Sequence, residues 1–162
     1  MGLSILLKYF AGIGVFIGLF NTFFFYKRMK ALNNNIANGE IKAFAKYFGV
    51  IFTLPFLLLQ VFQLLGNYRT VFFIFLLDFN NPFYVLGFIS IILFWALLLF
   101  YIVLKNGAEV MAKYNTAFGN LPADKSKIKI IFVLIVLVSL IILLLGNQIM
   151  NGAFSRFEEM II

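Results

Sequence analysis

The run Ile130–Gly146, "IIFVLIVLVSLIILLLG", decides how the rest of the chain is read. Its isoleucines and valines would suit a buried strand, because β-branched side chains pack well on a pleated surface. Length overrules that reading. A core strand is usually shorter than about ten residues, and this run has seventeen. It belongs to an apolar segment from about Ile128 to Ile149, and roughly 20 such residues cross a hydrocarbon core about 30 Å thick. Helix is then the required form, since backbone groups in lipid have no water to bond and must satisfy one another.

Working outward, three more segments have the same make-up: about Leu3 to Tyr26, Tyr47 to Gly66 and Phe83 to Leu104. The 162 residues are 64% hydrophobic and 12% charged, with a mean hydropathy of +1.04. An ordinary soluble domain is about 25% charged, so no polar layer is left to surround four such segments. Twenty-three phenylalanines and only three prolines also exclude a solvated, disordered chain. The expectation is an all-α fold, a four-helix transmembrane bundle forming a single integral membrane domain over residues 1–162. After the first segment comes "NTFFFYKRMK", which has bulky aromatics and no small-residue cleavage site, so a retained anchor is expected and not a signal peptide. Leu6 breaks the myristoylation pattern at "MGLSIL".

The formal charge of +7 could suggest nucleic acid, but its placement suggests topology. The first connection carries Lys27, Arg28, Lys30, Lys42 and Lys46, and the third carries Lys105, Lys113, Lys125, Lys127 and Lys129. These are ten of the thirteen basic residues, and by parity both connections lie on one side. A lysine-rich side is the cytoplasmic one, which puts both termini outside the cytoplasm. With no secretory prefix, the lysine bias points to a bacterial-type plasma (inner) membrane, and no nucleic-acid partner is expected.

The chain has no cysteine and no histidine, which removes thiolate chemistry and the commonest general base and metal ligand. The acidic residues Glu158 and Glu159 are neighbours that point apart on a helix and do not make a catalytic pair. No catalytic residue, metal ligand or cofactor is therefore assigned, and the protein is not expected to be an enzyme.

Polar residues within the greasy segments carry the remaining information. In the second, Lys46, Thr53, Gln60 and Asn67 recur every seven residues, with Gly49, Phe56 and Gln63 on the alternate seam. An amide facing lipid has nothing to bond with, so this stripe should face inward. There Gln60 and Gln63 would either bond across the bundle and fix helix register, at about 0.5–2 kcal/mol each, or line a wet cavity. Pro55 frees one carbonyl and should bend the segment. The first segment offers a matching stripe of Ala11, Gly14, Gly18 and Asn21, where Gly14 and Gly18 have the spacing that lets helix backbones approach.

The third connection reads as an amphipathic helical extension. Lys105, Glu109 and Lys113 recur every four residues, while Ala108, Met111, Tyr114 and Phe118 trace the neighbouring face. That face should rest on lipid headgroups or meet a partner protein. The helix should end near "FGNLP", and a turn is expected at Asn38 and Gly39 in the first connection. "TVFFIFLLDF", Thr70 to Phe79, is too short to cross the bilayer and should lie in the interface, extend the second helix or pack over the bundle mouth. "NNPF" should start the third helix with an asparagine cap. Tyr9, Tyr26, Tyr47, Tyr84 and Tyr101 are placed for the interfacial belts.

With little mass outside the membrane and no reactive chemistry, such a protein acts through lateral contacts. The partners expected are the lipid bilayer and other integral membrane proteins or further copies of the chain. The leading function is a structural, assembly or regulatory subunit of a larger membrane complex. A self-assembling pore or small transporter lined by the polar face of the second helix is the alternative, and a small membrane enzyme a more distant one.

Overall fold

The computed structural model describes residues 8–32, 38–68, 74 and 79–161, with side chains described as far as Gly146 except that of Asn38. The main elements are α1 (Phe10–Leu32), α2 (Asn38–Leu65), α3 (Pro82–Leu99), a π-helical segment (Phe100–Leu104), the short α4 (Gly107–Lys113), a 3-10 turn (Asn115–Phe118) and α5 (Lys125–Ile161). Among the described residues there is no strand. Among the described residues four helical stretches are long and apolar enough to cross a membrane: Phe10–Leu32, Gly39–Leu65, Pro82–Leu104 and Lys125–Gly146. This is the make-up of a multi-pass membrane protein.

The tightest packing joins α1 to α2 and α2 to α3. Along the first seam the helices run antiparallel and small residues face large ones. Gly14 lies against the Phe56 ring, Gly18 against the Phe52 backbone and Gly49 against Thr22. At Gly18 a Cβ would stand 2.9 Å from the Phe52 carbonyl oxygen and 3.0 Å from the Phe52 Cβ, so the helices come this close only because residue 18 has no side chain. By contrast, α5 is held loosely: of its described residues only Ile128, Val136, Leu143 and Gly146 are buried.

Helix α2 begins at Asn38, nine residues before the expected Tyr47, and the turn expected at Asn38 and Gly39 is helical. Its early turns carry Ile41, Phe44 and Phe48 on one face, all buried in the larger core cluster. That burial outweighs the turn preference of Asn38 and Gly39. The start of α3 follows expectation: Asn81 Oδ1 accepts from the Phe83 N–H at 3.0 Å, and Pro82 occupies the first turn.

After α3 the chain departs from a simple amphipathic extension. The Lys105 N–H donates to the Phe100 carbonyl at 3.1 Å, five residues back, and closes a π turn. The chain then breaks and resumes as α4 at Gly107. A Cβ at Gly107 would lie 2.9 Å from both the Tyr101 ring and the Tyr101 carbonyl, so glycine is what allows α4 to fold onto the π segment.

Two core clusters form among the described residues. The larger joins Met29, Phe44, Ile51, Leu98, Ile102, Met111 and Ile128 at the lysine-rich end. The smaller joins Ala11, Leu59, Ile74, Tyr84 and Leu143 at the opposite end. Ile74 packs over that end of the bundle and its carbonyl accepts from the Tyr84 hydroxyl at 3.0 Å; the rest of Thr70 to Asp78 lies outside the described residues. Tyr84 and Tyr101 are 0% and 7% exposed, so both are core residues and not members of an interfacial belt.

Candidate functional site

The inward amides of α2 meet the start of α1. In an uninterrupted helix the Gly12 N–H would donate to the Lys8 carbonyl, four residues back. The Gln60 side chain stands between them. Its Oε1 accepts from the Gly12 N–H at 2.8 Å, and its Nε2 donates to the Lys8 carbonyl at 3.1 Å. A primary amide has the donor and acceptor of a peptide group, so it bridges an opened rung of the helical ladder without leaving either side unpaired. Glycine leaves room for it, since a Cβ at residue 12 would lie 3.3 Å from Gln60 Oε1.

Gln63 completes the bracket. Its Nε2 donates to the same Lys8 carbonyl at 3.0 Å and to the Tyr68 carbonyl at 3.4 Å. Its Oε1 is buried and has no hydrogen-bond partner among the described residues. Gln60 and Gln63 are 8% and 0% exposed, so the face of α2 that would border an axis between copies is covered by α1.

The other stripe residues separate. Thr53 bonds within its own helix, its hydroxyl donating to the Gly49 carbonyl at 2.7 Å. Thr22, Ser90 and Ser139 do the same to the carbonyl four residues back, which is how a hydroxyl is satisfied without water. Asn67 is exposed and has φ 55°, the left-handed region. The Tyr68 N–H donates to the Gln63 carbonyl at 3.0 Å and the Asn67 N–H to the Leu64 carbonyl at 3.1 Å. This pair of bonds is a Schellman closure, so Asn67 ends α2 and is not part of the inward stripe. Asn21 also leaves its stripe: Ala11 and Gly18 are buried, whereas Asn21, near the centre of α1, is exposed.

At the lysine-rich end Glu109 and Lys113, four residues apart and so placed to pair on one helix face, each turn to another partner. Lys113 Nζ instead meets Glu40 Oε2 of α2 at 2.6 Å, and Glu109 lies 3.6 Å from Lys125. The Glu40 carboxylate raises the Lys113 pKa above its ordinary value, mainly through the hydrogen bond between them. Tyr114 is buried, and the Phe118 ring packs on Phe25 and Phe44 at centroid distances of 4.7 and 5.4 Å. The face expected against headgroups or a partner is therefore covered by the chain's own aromatics. Lys105 lies with its Nζ 5.5 Å from the Phe100 ring centroid.

Sequence reasoning missed Gly12 and the Lys8 carbonyl, because a main-chain acceptor leaves no mark on residue identity. Glu40, Tyr47 and Tyr101 were also missed as a group. Their only signal was that one acid and two phenol groups fall near the same end of neighbouring spans. Among the described residues no three acidic side chains come together in a way that could hold a metal ion. Comparison of the chain with protein-family models, curated proteins and solved structures finds no match.

Proposed function

We propose that this chain is a non-catalytic subunit, structural, regulatory or assembling in role, of a larger complex in a bacterial-type plasma membrane. The observation that carries the reading is Asn21. It sits near the middle of a membrane-spanning helix, exposed, among the exposed apolar side chains of Phe16, Ile17, Phe20 and Phe24. Hydrocarbon offers an amide nothing to bond with, so a polar side chain at mid-span on an uncovered face calls for a neighbouring helix with a matching group. The absence of histidine and cysteine from the sequence supports a role without acid–base or thiolate chemistry. The lysine-rich end would face the cytoplasm and the termini the other side.

Affinity purification from native membranes in a mild detergent tests the role. Wild type should bring down other integral membrane proteins, and Asn21→Leu should lose them while remaining folded. Recovery of the free polypeptide alone under several gentle conditions, or the same proteins with both variants, would count against it. Recovery of further copies of the chain alone would replace the hetero-complex by self-assembly. Reporter tags at Asn34 and Ala123 test the orientation: both should report from the cytoplasm, and tags on opposite sides would overturn it.

A further inference from the structure

A cavity of about 780 Å³ opens between the first turns of α2 and the π segment after α3, a size within the range of ligand pockets, about 300–1,000 Å³. Its lining is mostly apolar, including the exposed Val50 and Phe100 and the half-buried Leu97, and Glu40, Tyr47 and Lys105 supply polar groups. The exposed Tyr47 ring stacks on the buried Tyr101 ring with centroids 5.3 Å apart, which fixes Tyr47 at the cavity edge. Local backbone geometry makes the space: the π turn breaks the regular helix beside it, and Gly107 lets α4 close over Tyr101.

The charges at the rim do not cancel. Glu40 is compensated by Lys113 at 2.6 Å, whereas Lys105 forms no ion pair among the described residues. One positive charge thus remains at the mouth of a greasy pocket, at the end of a span where lysines are concentrated. An apolar wall fits an acyl chain, and an ammonium without a carboxylate partner fits an anionic headgroup. A free anion would leave the wall unfilled, and a zwitterionic lipid would not use the excess charge. We propose that this cavity binds one anionic phospholipid from the surrounding leaflet, with its headgroup at Lys105 and an acyl chain along Val50 and Leu97. Basic pockets between membrane helices bind such headgroups on the same physical grounds. The proposal requires membrane embedding but not the subunit role.

The test uses the full-length chain in an uncharged detergent, with phosphatidylglycerol, phosphatidylcholine or inorganic phosphate added, read by thermal unfolding and native mass spectrometry. Phosphatidylglycerol should be retained and should raise the melting temperature more than phosphatidylcholine, and phosphate alone should do neither. Lys105→Gln should weaken phosphatidylglycerol binding about fivefold, the effect of one lysine at an anionic surface, and leave phosphatidylcholine unchanged. Ala43, exposed on the cavity wall, offers a plug: Ala43→Trp should abolish retention of both lipids. Equal response to the two lipids, an unchanged preference in Lys105→Gln, or phosphate acting as well as the lipid would overturn the proposal. If Ala43→Trp fails to fold, the wild-type preference and Lys105→Gln decide the matter.

Discussion

The two glutamines of α2 share a helix face and a residue type, yet they are not energetically alike. Gln60 has both amide ends bonded to the α1 backbone, while Gln63 carries a buried acceptor with no partner among the described residues. A net hydrogen bond is worth about 0.5–1.5 kcal/mol, and a buried orphan group costs about 1–3 kcal/mol. Gln60→Leu should therefore destabilise by under about 2 kcal/mol, because the Lys8 carbonyl and Gly12 N–H, once released, can close the normal rung between them. Gln63→Leu loses two donated bonds and also the orphan, so it should fall closer to neutral than Gln60→Leu. Reversible unfolding of both variants in mixed micelles checks the order, and a larger loss for Gln63→Leu would contradict it. That these amides face inward was legible in the sequence, because an amide in lipid has no partner. Their bonding to main-chain atoms was not legible, and neither was the capping role of Asn67, since a seven-residue spacing continues on paper past the point where the helix stops.

Among elements, α1 and α2 are held by shape more than by polarity, and the α1 glycines Gly14 and Gly18 make different demands. A Cβ at Gly18 would meet a backbone oxygen at 2.9 Å, which moves only if the helices separate. A Cβ at Gly14 would meet the edge of the Phe56 ring at 3.1 Å, and a ring can turn away. Gly18→Ala should thus cost about 1–3 kcal/mol as an overpacking change, and Gly14→Ala distinctly less. Unfolding of each single variant measures the difference; equal losses would mean that the seam yields as a whole. The existence of the four spans was readable from length and hydropathy alone. Their ends were not: α2 starts early because Ile41, Phe44 and Phe48 find a core, and α3 ends in a π turn because α4 packs back on Tyr101. Both are decided by neighbours distant in sequence, which periodicity cannot register.

Across the whole molecule, parity and lysine placement already assigned the two basic connections to one end, and the Glu40–Lys113 contact joins them there over 73 residues of sequence. The looseness of α5 was not readable, because a side chain facing lipid and one facing another protein have the same composition. The Glu40–Lys113 contact also makes the packing of α4 on α2 depend on pH in a definite direction. Lys113 has its pKa raised in the folded chain above the ordinary 10.5, so the folded state holds this proton more tightly than the unfolded one. Its contribution is fully present below 10.5 and is lost as pH rises through the raised value. Thermal unfolding of wild type and Lys113→Gln over that range isolates the effect of this one group. The wild type should melt higher at neutral pH and the gap should close above 10.5. A gap that persists in strong alkali would mean that Lys113 holds α4 through its aliphatic stem and not through its charge.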